Sequence, residues 1–290
     1  VGEIGGVFGI GGFPCRIFAV WTTVKKAVGA MRLKLLACKA LSRELSYLSS
    51  LSSNIIDVTW IRQGYHETPD VLRRVLQSEI DAVESGRDSH TNQLGGNSDG
   101  ITPYVDEDFD AILIGYGLCS NGTAGLYARK HRLVLPRAHD CITLFLGSKE
   151  RYARYFKELP GCFWYTASWI ENSSMPCEES QKRQAAYYRE KGYDEEDLDF
   201  FLKSMNDWTK AYQNAAYIRM PFFDKQEHQE FTRAAADFYH WRYTLVEGEL
   251  SLLGRFLSGD WNEEDFLIVP PGERIAPSYD ETIVRREPCV

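Results

Sequence analysis

Apolar runs and polar breaks divide the chain into alternating strands and helices. Residues 33–37 (LKLLA) are apolar enough for a strand that ends at Cys38, and a helix or turn follows through Arg43, Glu44 and Leu45. Residues 55–61 (IIDVTWI) are rich in β-branched side chains and predict a second strand. The clearest helix comes next, with Thr68 as N-cap, Pro69 at the first helical position and Asp70 complementing the dipole. Val71, Leu72, Val75, Leu76, Ile80 and Val83 give it one apolar stripe at helical spacing. The continuous apolar run from Asp110 into Gly115 and Gly117 has the character of a central parallel strand buried on both faces.

Residues 132–136 (RLVLP) predict another strand, residues 142–146 open a helix that runs to about 158, and residues 162–170 (CFWYTASWI) predict a strand. The charged region 178–241 reads as mostly helical, with helices starting at Asp194 and spanning about 225–240. A strand from Arg242, a helix from Leu250 to Leu257 and a strand from Phe266 complete the pattern. Strands alternating with helices predict an α/β fold: a mostly parallel sheet with helices on both faces, Rossmann-like and three-layered, with a more helical C-terminal half.

Composition narrows the setting. A chain of 290 residues that is 44% hydrophobic can bury a large core without disulfides or structural metals. The net charge is −8 and no Lys/Arg cluster stands out, which excludes a nucleic-acid surface. Seven cysteines, an odd number without framework spacing, predict reduced thiols and a cytoplasmic location. Residues 1–30 are Gly-rich and apolar and read as an upstream extension, with one α/β domain over 31–290. The longest uncharged stretch there, Ile4 to Cys15, is about half a transmembrane span, so no membrane association is expected. Residues 85–104 are polar and glycine-rich and read as a loop or insertion.

Open parallel sheets bind ligands at the carboxyl ends of their strands. Here those ends carry Cys38, then Gly115 to Gly122 with Cys119, then His139, Asp140 and Cys141; His66 follows the 55–61 strand. In an extended segment His139 and Cys141 point to the same side. With Cys38 and Cys119 they make three sulfurs and one nitrogen, a donor set for tetrahedral Zn²⁺. Three thiolates alone would hold an iron–sulfur cluster by three corners and leave one iron open. The plain alternative is that free cysteines fill a core. Gly115, Gly117, Asn121 and Gly122 either cradle a phosphate or make a tight turn that lets Cys119 approach its neighbours; the spacing is not the dinucleotide fingerprint. Cys119 or Cys141 beside His139 would also form a thiolate–imidazole pair, oriented by Asp140 or Glu44. Phe163, Trp164, Tyr165 and Trp169 are core or pocket wall, and Cys162, Cys177 and Cys289 read as structural or exposed.

The segments LLACKALSREL, QGYHETPDVLRRVLQSEID, LIGYGLCSNG, LPRAHDCITLFLGS and GCFWYTASWIE resemble a prokaryotic family designated domain of unknown function 1638. The resemblance runs from Met31 to about residue 250 and is most specific at the HDC segment. Its motif positions correspond to Cys38, Glu44, His66, Cys119, His139, Asp140 and Cys141. It implies an association with corrinoid-dependent methyltransferase systems, which would suit a thiolate site.

Three functional expectations follow. The first is a cytoplasmic metalloprotein, an enzyme or accessory factor in methyl transfer or one-carbon metabolism. It would use Cys38, Cys119, His139 and Cys141 to hold Zn²⁺ or an iron–sulfur cluster, while Glu44, His66 or Asp140 moves protons on a small-molecule substrate. The second is a small-molecule-binding or accessory protein with structural thiols. The third is a metal-free Cys–His enzyme.

Overall fold

The computed structural model describes residues 29–85 and 109–289. The glycine-rich segment before residue 29 and nearly all of the 85–104 segment lie outside the described residues. The fold has the expected class. Strands β1 (Arg32–Cys38), β2 (Ile55–Ile61), β3 (Ala111–Gly115), β4 (Leu133–Pro136) and β8 (Phe266–Val269) form a five-stranded sheet in the order β2-β1-β3-β4-β8. The first four are parallel and β8 runs antiparallel to β4.

Alternate side chains of β1 and β3 enter two different cores, as the two-residue period of a strand requires. Leu33, Leu35, Ala37, Ala111 and Leu113 face helices α1 (Ser42–Leu51), α3 (Cys141–Leu146) and α9 (Ser251–Ser258). Leu36, Cys38, Ile112 and Ile114 face α2 (Pro69–Glu84) and the hairpin of β9 (Glu273–Pro277) and β10 (Val284–Pro288). Lys34 is fully buried in β1, its Nζ 3.0 Å from Asp57 on β2. Helices therefore do cover both faces of the sheet.

A second sheet was not predicted. Strands β5 (Cys162–Thr166), β6 (Asn214–Arg219) and β7 (Arg242–Glu247) pair in parallel in the order β5-β6-β7. Ala216, Ile218 and Val246 pack into the core of the first sheet; Ala215 and Tyr217 pack with Ala235 and Ala236 of α8 (Gln226–Tyr239). Strand β6 lies inside the region read as helical. Between α7 (Glu195–Met205) and α8 it is short and alanine-rich, and alanine favours helix when burial is not visible.

The expected 162–170 strand stops at Thr166, whose side chain accepts a hydrogen bond from the Trp169 N–H at 3.1 Å and caps α5 (Ala167–Asn172). The expected helix to 158 is two helices, α3 and α4 (Lys149–Glu158), because Gly147 ends the first in the left-handed conformation (φ 81°). Helix α6 (Glu178–Glu190) precedes α7. Among the described residues no helix is long and apolar enough to cross a membrane.

Candidate functional site

Strand order 2-1-3 makes β1 and β3 the pair from which the chain departs in opposite directions, and crevices open at such switch points. Cys38 is the last residue of β1, and Cys119 follows β3. A cavity of about 690 Å³ lies at these strand ends. Cys38, Cys119, His139, Asp140, Cys141 and His66, the predicted cluster less Glu44, all line it.

Two backbone hydrogen bonds join the loops after β3 and β4: Leu118 N–H to Ala138 O at 2.8 Å and Cys119 N–H to His139 O at 2.9 Å. The approach is so close that a Cβ on Gly117 would lie 2.7 Å from Ala138 O and 2.8 Å from Asp140 N. A Cβ on Gly122 would lie 2.6 Å from Leu72 Cδ2, and one on Gly115 2.7 Å from the Ala37 Cβ. Close approach of protein atoms thus accounts for glycine at these positions, most firmly at Gly117, where the neighbours are backbone atoms.

The turn itself is strained. Cys119, Ser120 and Asn121 have φ of 46°, 56° and 66°, three consecutive non-glycine residues in the left-handed region. Each such residue costs about 1 kcal/mol or more. The Thr123 hydroxyl donating to Gly117 O (3.1 Å), the Gly122 N–H donating to Cys119 O (2.9 Å) and Arg73 Nη2 donating to Asn121 O (2.9 Å) hold the turn in place.

The segment after β4 is not extended throughout, which corrects the expectation for His139 and Cys141. Asp140 is the N-cap of α3, accepting from the Ile142 N–H at 3.0 Å and the Thr143 N–H at 3.4 Å, and Cys141 is already helical. Cys141 still reaches the cavity, from the first turn of α3. The Tyr152 hydroxyl donates to Asp140 Oδ2 at 3.4 Å, and the Tyr152 and His139 rings lie 5.9 Å apart.

Electrostatics tie the three thiols together. Burial pushes Cys141 well above the usual thiol range, and the charges of Cys119, Asp140 and Cys38 push it further. Burial and then Asp140 and Cys38 do the same to Cys119. Burial raises Cys38 as well. Tyr116, which sequence reasoning passed over, is buried beside all three: burial first, then Cys38, Cys119 and Cys141, raise its phenol far above its usual range. Burial raises the Asp140 carboxyl above its usual range, while its cap hydrogen bonds and then the neighbouring His139 act to lower it. Among the described residues no three His, Cys, Asp or Glu side chains are already gathered as a metal-binding group.

Glu44 stands apart. It is not among the residues lining the cavity, is fully buried, and has no hydrogen-bond partner on either carboxylate oxygen. Burial raises its pKa to about 7. Cys162, read from the sequence as structural, lines the cavity from the amino end of β5, and burial pushes it up to about 12. Cys177 is structural: its Sγ accepts the Ser180 N–H at 3.3 Å and caps α6. Phe163, Trp164 and Trp169 of the aromatic set are cavity wall, whereas Tyr165 is fully buried core.

No curated protein and no solved structure matches the chain. The model of a protein family described as "Protein of unknown function (DUF1638)" matches residues 60–257, about two-thirds of the chain. The matched stretch holds His66, Cys119, His139, Asp140 and Cys141, while Cys38 and Glu44 precede it. By that match the chain belongs to the DUF1638 family.

Proposed function

We propose that this protein is a metalloprotein that holds an iron–sulfur cluster through the thiolates of Cys38, Cys119 and Cys141 and binds a small-molecule substrate in the cavity beside it. One observation carries this reading: Cys38, Cys119 and Cys141, brought by the segments that follow three separate strands, line one switch-point cavity, where Cys38 raises the pKa of Cys119 and both raise that of Cys141. Such thiols resist ionisation together unless a cation neutralises them, and metal coordination does that. The donor set fits a cluster held by three corners, whose open iron would act as a Lewis acid or electron carrier toward substrate. In this account Tyr116 excludes water behind the thiols, and the Tyr152–Asp140 hydrogen bond holds the start of α3 so that Cys141 keeps its aim. His66 and His139 on the cavity wall supply ring nitrogens for moving a proton at the substrate.

Zinc held by the same thiols with His139 is the second reading, favoured by His139 lining the same cavity. The metal-free Cys–His enzyme fits less well, because an activated thiol needs a depressed pKa and burial drives these upward. The described cysteines are free, which supports a reducing, cytoplasmic setting. The corrinoid-dependent methyltransferase setting implied by the sequence resemblance completes the proposal, since an open metal site beside a cavity suits transfer of a one-carbon group.

Metal and acid-labile sulfide analysis of anaerobically purified protein tests this reading. Iron with matching sulfide, lost in a Cys119→Ser/Cys141→Ser double variant that still folds, is the expected result. Zinc near one per chain without sulfide selects the second reading. Absence of both metals from folded, reduced protein overturns the proposal.

A further inference from the structure

The cavity at the thiols has a neighbour. A second cavity of about 520 Å³, the outer chamber, adjoins the first and shares Gly64, His66, Phe163, Trp169 and Tyr212 with it as a common wall. We propose that the outer chamber is a subsite for a small organic ammonium ion, such as a methylated amine. This names the substrate class of the site and rests on the functional reading above only in that respect.

The lining of the outer chamber has the chemistry that a cation of this kind needs. Phe163, Tyr212 and Trp208 form an aromatic corner, with ring centroids 5.3 Å (Phe163–Tyr212), 5.7 Å (Phe163–Trp208) and 5.7 Å (Trp208–Tyr212) apart. Ring faces attract ammonium groups, most strongly when desolvated. Among the described residues lining this second cavity there is no lysine or arginine, Arg62 lining the first cavity instead, and Glu67 supplies a carboxylate. Gln63 donates through Nε2 to the Ser173 hydroxyl at 3.3 Å, which leaves its Oε1 buried and without a partner. A neutral planar ligand would use the rings but not the carboxylate. The aromatic wall at Phe163 and Trp169 is common to both cavities, so a cation in the outer chamber sits next to the cavity that the thiols line.

Calorimetric titration of the full chain tests this with two probes of the same shape: choline chloride and its neutral carbon analogue, 3,3-dimethylbutan-1-ol. The expected result is binding of choline at least about tenfold tighter than the neutral analogue. Glu67→Gln changes an exposed side chain and should leave the melting temperature unchanged, whereas Trp208→Ala gives up the ring contacts with Phe163 and Tyr212 and should lower it modestly; each folded variant should bind choline about fivefold or more weakly. Equal affinity for the two probes, no choline binding, or undiminished binding in both variants overturns the proposal. The same titration on Cys119→Ser keeps the two readings apart. Cation binding belongs to the outer chamber and persists there whether or not the metal is lost.

Discussion

At the carboxyl ends of β1, β3 and β4 stand three free thiols around a cavity, whereas at the carboxyl ends of β5, β6 and β7 charged side chains close on one another. Arg219 at the end of β6 pairs with Glu247 at the end of β7. Glu171, in the helix after β5, pairs with Arg43 and stands 3.3 Å from His228 Nε2. The first sheet is parallel except for β8 and the second is wholly parallel, so both obey the same rule about where a ligand would bind. The difference lies in what the sequence puts there. One end carries glycines that permit close backbone approach, a strained left-handed turn and three free thiols beside a cavity. The other carries complementary ion pairs across its strand ends. A parallel sheet offers a crevice, and the side chains placed at its end decide what chemistry that crevice can support.

The comparison can be broken first at Gly117. Gly117→Ala forces a Cβ against Ala138 O and Asp140 N, both backbone atoms that cannot swing away. We expect a loss of about 3 kcal/mol in chemical denaturation, accompanied by loss of bound metal. A fully stable, metal-replete Gly117→Ala protein would contradict the close approach of the two loops.

Glu44 sharpens the contrast from the other side, as a buried acid beside the Arg43–Glu171 pair. Its pKa rises from 4.5 in the unfolded chain to about 7 in the fold. Between those values the folded state keeps a proton that the unfolded state releases, so stability falls as pH rises from about 4.5 to about 7. Glu44→Gln should remove that slope and stabilise the protein by about 2–3 kcal/mol at pH 8, with little change near pH 4.5. Denaturation at the two pH values reads this directly, and equal effects at both would sink the assignment.

A smaller effect is expected at Ser120, whose φ of 56° glycine adopts without penalty. Ser120→Gly should stabilise the fold by about 0.5–1 kcal/mol and leave metal content unchanged. Destabilisation there would show that the hydroxyl, not the backbone, matters. Smallest of all is the closed end itself. The Arg219 and Glu247 side chains are 42% and 59% exposed, so Arg219→Gln should cost less than about 1 kcal/mol, and less still in high salt.

Much of the first sheet was legible because its strands are buried on both faces and read as continuous apolar runs, as in Ala111–Gly115. Helix α2 was equally plain, since Pro69 and the spacing of Leu72, Leu76, Ile80 and Val83 agree. The second sheet was hidden. Its central strand, Asn214–Arg219, is short and carries two alanines after Asn214, and only tertiary burial makes it a strand. The candidate site was legible as a set of strand-end residues but not as a geometry. Whether Cys38 meets Cys119 depends on the order β2-β1-β3, which the chain does not spell out. Cys162 and Tyr116 gave no local sign, because what brings them to the thiols is the stacking of one sheet beside another and the turn after β3. Asp140 illustrates the converse: a residue marked by its neighbours for chemistry, which the fold uses to start a helix.

The central claim is that Cys38, Cys119 and Cys141 act as one metal centre. X-ray absorption spectroscopy of the anaerobically purified full chain at the iron edge tests it most directly. A first shell dominated by sulfur with an iron neighbour beyond it, lost when the three cysteines are replaced together by serine, is the expected result. A first shell of nitrogen and oxygen only, unchanged by that replacement, would contradict it.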